Sequence, residues 1–158
     1  MAFRLGGRRN PRLELLKHVV LFKDLSWHDL GVIDSMLHQR DYIAGEVLFD
    51  EGEEGQGLFI VLSGRVKTTR QGTTRGVLLE FGPGSFFGEV ALLDQSVRTA
   101  QARAIEDTSI VVLFRAEFYS LLQTHSSIAS RISFQLARML ATRLRQNIMA
   151  TDQHHEVS

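Results

Sequence analysis

Apolar and polar positions change their rhythm twice along the chain. From Leu13 to about Gln39 the apolar residues recur at helical spacing: Leu15, Leu16, Val19 and Val20, then Leu30, Ile33 and Leu37. With 3.6 residues per turn, that spacing gathers them on one face, and two short helices are predicted. Ser26 supplies a side-chain oxygen suited to capping the second. Between Asp41 and Phe114 the texture is different. Short apolar runs ("EVLF", "LFIVL", "GVLLEF", "SIVVLF") alternate with turn residues, and glycine recurs from Gly45 to Gly84. The segment Ala100-Gln-Ala-Arg-Ala104 alternates with period two, as a half-buried strand does. Many short strands with frequent turns predict an antiparallel barrel or jelly roll rather than an α/β sheet. After Phe114 helical spacing returns. "RAEFYSLLQTH" is one helix and "SSIASRISFQLARMLATRLRQNIM" a longer one, with Ser126 or Ser127 as its cap.

The long helix carries two apolar stripes. Ile132, Leu136, Met139 and Leu140 lie on one face, which Arg143 continues; Phe134, Ala137, Ala141, Leu144 and Ile148 follow a three-four spacing on another. One stripe is expected to cover the barrel and the other to meet a second copy of the helix, as in a dimer seam. Helices are therefore expected over 13–39, a β-roll over 41–114 and C-terminal helices over 115–148. A flexible basic start (1–12) and a disordered tail (149–158) flank them.

Composition narrows the function. At 158 residues with 44% apolar content, the chain fits one soluble domain with an adequate core. No apolar run approaches the roughly 20 residues a membrane-spanning helix needs. The arginine-rich start has no apolar block behind it and is not a secretory signal. Zero cysteines exclude disulfides, a thiolate nucleophile and cluster or haem-thiolate ligation, and suit a reducing cytosol. A cytoplasmic location is expected. The net charge of +0 gives no bulk attraction to nucleic acid. Charge is uneven, however: Arg4, Arg8, Arg9, Arg12 and Lys17 crowd the start, and Asp50, Glu51, Glu53 and Glu54 form an acidic loop. A jelly roll invites a metalloenzyme of the cupin type, whose barrel presents histidines. Here His18, His28, His38, His125, His154 and His155 all fall outside 41–114. With no paired-carboxylate or Ser/His/Asp spacing either, neither a metal site nor enzyme activity is expected.

The segment "FFGEVALLDQSVRTAQA" (86–102) carries the chemistry. Pro83-Gly84 sets a tight turn, and Gly88 lets the backbone approach a neighbour closely. Glu89-Val-Ala-Leu-Leu93 reads as one helical turn whose free N–H groups can receive an anion. Arg98 brings a guanidinium suited to phosphate oxygens. Glu89 accepts hydrogen bonds, and a sugar hydroxyl is a natural donor. Phosphate cradle and hydroxyl acceptor side by side suit a ribose phosphate.

Phe87-Gly88-Glu89-Val90-Ala91-Leu92-Leu93, followed by Arg98-Thr99-Ala100, resembles the phosphate-binding cassette of the cyclic nucleotide-binding domain family. "IAGEVLFDEGEEGQGLFIVLSGRVK" resembles that family's first strands, and the likeness covers roughly 20–148. Val97 departs from the pattern, standing where many relatives have proline. The resemblance implies an α+β fold: an eight-stranded antiparallel β jelly roll with N-terminal helices before it and two helices after. It implies that Glu89 takes the ribose 2′-hydroxyl. Arg98 takes the cyclic phosphate, assisted by backbone N–H groups of Gly88 and of the Val90-Ala91 turn. Thr99 bonds the phosphate and, for guanine, the base. Leu78, Leu79 and Val90 are candidate apolar contacts for the base, and Arg143 on the last helix a candidate to stack on or bond the purine. The implied ligand is cAMP or cGMP, with cAMP favoured, and the implied mechanism is ligand-dependent movement of the C-terminal helices. The expected partners are the cyclic nucleotide, a second copy of the chain and an effector protein of unknown identity. "SFQLARMLATRLRQ" also resembles the dimer helix of catabolite-activator proteins, but a helix-turn-helix domain needs about 60 residues beyond it, and within this sequence no nucleic-acid contact is expected. A ligand-free interaction module of the same fold, or a truncated DNA-binding regulator, are the alternatives.

Overall fold

The computed structural model of the chain describes residues 10–70 and 77–155; at 77–78 and 153–155 it describes the backbone alone. Helix α1 spans Pro11–Lys17, a 3₁₀ turn follows at Val20–Phe22, and α2 spans Trp27–Met36. Eight strands come next: β1 His38–Tyr42, β2 Val47–Phe49, β3 Gly57–Ser63, β4 Val66–Thr69, β5 Val77–Phe81, β6 Phe86–Phe87, β7 Gln101–Ala104 and β8 Thr108–Phe114. A 3₁₀ turn, Glu89–Leu92, interrupts them between β6 and β7. Helices α3, Arg115–Thr124, and α4, Ser126–His155, close the chain. The strands form two four-stranded sheets, β1-β8-β3-β6 and β2-β7-β4-β5, and every ladder is antiparallel. This is the expected α+β jelly roll.

The apolar runs of β3 and β8 look unbroken because both faces are covered. Leu58, Ile60, Val111 and Leu113 face the helices and join Leu16, Phe22, Ile33, Phe118 and Ile132 in one buried cluster. Their neighbours Phe59, Val61, Ile110 and Val112 face the second sheet, with Val66, Phe87 and Ala102. The first sheet is thus the middle layer between a helical coat and the second sheet, which covers it only on the far side.

Helix boundaries follow local chemistry. Ser26 Oγ accepts from the Asp29 N–H at 3.1 Å, and Asp29 Oδ2 accepts from the Ser26 N–H, a reciprocal cap for α2. Four expectations need correction. Asn10 caps α1 and Pro11 opens it, so Arg12 belongs to a helix and pairs with Asp34 rather than fraying; Arg4, Arg8 and Arg9 lie outside the described residues. The roll begins at His38, because α2 stops at Met36. His38 is therefore a strand residue: it sits opposite Val112, on the face turned to the second sheet, but at the exposed end of the strand, where it lies beside Phe114 and pairs with Glu117 on α3. At the other end, α4 runs to His155 where a tail was expected from 149. Its two stripes have different fates: Ile132 and Leu136 are buried and Met139 and Leu140 pack on the core, whereas Phe134, Leu144 and Ile148 are exposed. Among the described residues, no helix is long and apolar enough to cross a membrane.

Candidate functional site

The segment between β6 and β7 lines a cavity of about 410 Å³ at the open side of the roll. Phe87, the last residue of β6, is buried among Phe49, Phe59 and Phe81, with ring centroids 4.9–6.0 Å apart. This anchors the start of the loop. Gly88 then turns the chain with φ +76°, a left-handed conformation costly for any residue with a Cβ. The chain enters the Glu89–Leu92 turn, where buried Ala91 and Leu92 fix it to the core.

Glu89 and Arg98 are both buried, at 5% and 9% exposure, and both line the cavity. The guanidinium of Arg98 lies over the Phe49 ring at 4.2 Å and near the Phe59 ring at 5.3 Å. Its Nη2 donates to the Gly57 carbonyl at 2.9 Å and its Nη1 to the Gly88 carbonyl at 3.3 Å. Its main chain is tied to the acidic loop: the Arg98 N–H donates to Glu53 O and the Gly52 N–H donates to Arg98 O. Burial pulls the Arg98 pKa below the usual arginine value, opposed by the negative charges of Glu89 and Glu53. Arg98 is thus a partly desolvated cation with donors to spare, as an anion site requires. Glu89 has a partner of its own. Arg143, reaching from α4, donates to Glu89 Oε1, although the Arg143 side chain is itself 49% exposed.

The remaining expected residues are placed as follows. Gly88, Val90, Ala91, Thr99, Ala100, Leu79 and Arg143 all line the cavity with Phe87, Glu89 and Arg98. Val90, Leu79 and Thr99 are exposed at its rim, and Ala100 is half-buried. The Ala91 N–H already donates to Gly88 O at 3.2 Å, closing the turn rather than standing free. The Leu78 side chain lies outside the described residues. The structure adds members that spacing does not reveal: Phe49, Thr68, Arg70, Phe81 and Ser96 also line the cavity. Arg70 donates from Nε to the Thr99 carbonyl at 3.1 Å. Phe49 and Phe59 come from strands far away in sequence, and only the fold brings them beneath Arg98. The acidic loop is likewise drawn in, through an isolated bridge between Glu54 and Val97.

A jelly roll with one buried acid and one buried guanidinium lining a common cavity has the chemistry of a site for a small anion that also carries a hydroxyl. Residues 39–125 match the family model of the cyclic nucleotide-binding domain, and the chain belongs to that family. It is 35% identical over 139 residues to the cyclic AMP receptor protein of Thermus thermophilus, covering 87% of this chain and 62% of that protein. The solved structure of the Thermus thermophilus catabolite activator protein superposes with a TM-score of 0.75 at 34% identity, covering 84% of this chain and 62% of that one. A segment of the lysophospholipase NTE1 of Pyricularia oryzae is 37% identical over 116 residues, 72% of this chain but 8% of that enzyme. The chain thus spans less than two thirds of these relatives, and the same domain is a part of enzymes as well as of regulators.

Proposed function

We propose that the chain binds a purine 3′,5′-cyclic nucleotide in this cavity, cAMP in preference to cGMP, and acts as a ligand-responsive regulatory module. The observation that carries this is the burial of Glu89 and Arg98 on one short loop, facing one cavity, in a member of this family. The phosphate meets the free donors of Arg98, whose desolvated charge regains a counter-ion. The ribose 2′-hydroxyl donates to Glu89, and the exposed Thr99 hydroxyl meets the phosphate from the rim. Bonds to charged groups contribute about 1.5–3 kcal/mol each. A micromolar complex requires about 8 kcal/mol, so two or three such bonds plus apolar contact of the base with Leu79 and Val90 suffice.

Binding the ribose requires Arg143 to release Glu89, and that exchange couples the ligand to α4. Arg143 is half in solvent, so its pair with Glu89 is a weak competitor. Once released, the guanidinium is available to stack on or bond the purine. Ligand then selects a different position of α3 and α4 against the roll, a population shift. The exposed stripe of Phe134, Leu144 and Ile148 would pass the state to a second copy or an effector. One observation favours the alternative, a ligand-free interaction module: Glu89 and Arg98 both have partners inside the chain.

Displacement of a fluorescent cyclic nucleotide separates the two. Competition in the order cAMP, cGMP and, far behind, 5′-AMP is expected. Failure of the probe to bind at any concentration up to millimolar would leave the interaction module.

A further inference from the structure

We infer that Arg115 is a positioning residue for this site: it sets the posture of Arg98 and transfers its displacement to the first turn of α3. The inference rests on the ligand reading above for its effect on affinity, though not for the positioning itself.

Arg115 is the first residue of α3, which follows β8 without an intervening loop. Its side chain is only 13% exposed, and its Nη1 donates to three main-chain carbonyls: Gly55 at 2.8 Å, Asp94 at 2.9 Å and Ala91 at 3.1 Å. The carboxylate beside it, Glu54, is 3.5 Å away and 55% exposed. An ion pair so long and so wet contributes little. The carbonyls are therefore what Arg115 is built around, and they belong to the acidic loop, the end of the 89–92 turn and the segment beyond it.

The ligand arginine grips the same main chain from the other side. Of three successive carbonyls, Gly55 O accepts from the Arg115 guanidinium, Gln56 O from the Arg115 N–H at 2.8 Å, and Gly57 O from Arg98 at 2.9 Å. The cassette turn is bracketed in the same way: Gly88 O accepts from Arg98 and Ala91 O from Arg115. Gly55 lies directly between the two side chains. A Cβ there would come 3.3 Å from the Arg98 guanidinium carbon and 3.0 Å from the Ala91 Cβ. The wall separating Arg98 from Arg115 is thus one peptide thick. A shift of Arg98 toward a bound phosphate strains carbonyls whose neighbours Arg115 holds, and α3 carries that strain toward α4 and Arg143. One turn along α3, the Tyr119 hydroxyl donates to Leu93 O at 3.3 Å and braces the same contact. All three bonds converge on one nitrogen, Nη1, so a lysine ammonium with its own three N–H donors keeps part of this grip but lacks the second nitrogen that reaches Glu54.

The test compares wild type with Arg115→Met and Arg115→Lys by amide hydrogen exchange without ligand, then by titration with cAMP. Local opening is read directly by exchange. Expected for Arg115→Met is about tenfold or faster exchange over 88–98 with β3 and β8 protection unchanged, and about tenfold weaker cAMP binding. Arg115→Lys should fall between wild type and methionine in both readouts, and it carries the test alone should the methionine variant not fold. Wild-type exchange over 88–98 in the variants, or an increase spread evenly through β3 and β8, overturns the inference. Were wild type itself to bind no cAMP, the ligand reading would fail, while the exchange comparison would still decide what Arg115 positions.

Discussion

Glu89 and Arg98 bring opposite charges into the same wall of the cavity yet do not bond each other; each is satisfied from elsewhere, and both remain aimed at the space between. Gly88 makes that possible. A Cβ on it would lie 2.3 Å from Arg98 Nη1, on a backbone with φ +76°. Gly88→Ala is expected to destabilise the fold by about 1–3 kcal/mol in urea unfolding and to displace the guanidinium, abolishing ligand binding. Arg143→Ala removes both a competitor for Glu89 and a contact for the base. Because the competing pair is half in solvent, the lost base contact should dominate, weakening both cyclic purines severalfold in a binding titration. Unchanged affinity for both would remove Arg143 from the site. The Gly-Glu…Arg-Thr spacing was legible because those residues are neighbours in the chain. Phe49, Phe59 and Arg70 were not, since nothing in a strand's apolar pattern distinguishes a core ring from the ring beneath a guanidinium.

Elements were legible where one periodicity governed them. The helical stripes around Leu16, Ile33 and Ile132 and the alternation of β7 all appear where expected. Boundaries were less so. The start at Asn10-Pro11 was hidden among arginines that read as a frayed end, until Arg12 was seen against Asp34. The helix past residue 149 was hidden by the polar run "TDQHH", which has no apolar periodicity to read; Thr151 and Asp152 are exposed. Two predictions belong to this scale. Ser26→Ala removes one half of the α2 cap and should cost about 1 kcal/mol in thermal or urea unfolding, with ligand affinity unchanged because the cap is remote from the cavity. Leu144→Glu with Ile148→Glu places charge on the exposed stripe of α4; sedimentation velocity should show a dimer for wild type and a monomer for the double variant. A wild-type monomer at high concentration would argue for an effector on that face instead.

Across the whole molecule, the roll carries the cavity and the helices coat its outer face; in the proposed switch it is this coat that moves. The cassette touches that coat through Glu89 with Arg143 on α4, through the Ala91 and Asp94 carbonyls with Arg115 and the Leu93 carbonyl with Tyr119 on α3, and through Leu92 in the helical core. On the proposed reading, occupation of one cavity would therefore bear on both C-terminal helices. Saturating cyclic nucleotide should change amide protection in α3 and α4 while β3 and β8 stay as they were. Identical protection with and without ligand would mean binding without a switch. All of this depends on Arg98 gripping a cyclic phosphate. Calorimetric titration of wild type and Arg98→Ala with cAMP and cGMP addresses that directly. Micromolar binding by wild type, tighter for cAMP, and a loss of about tenfold or more in the variant are expected. A flat trace with both nucleotides for wild type, or equal affinity in Arg98→Ala, would contradict it.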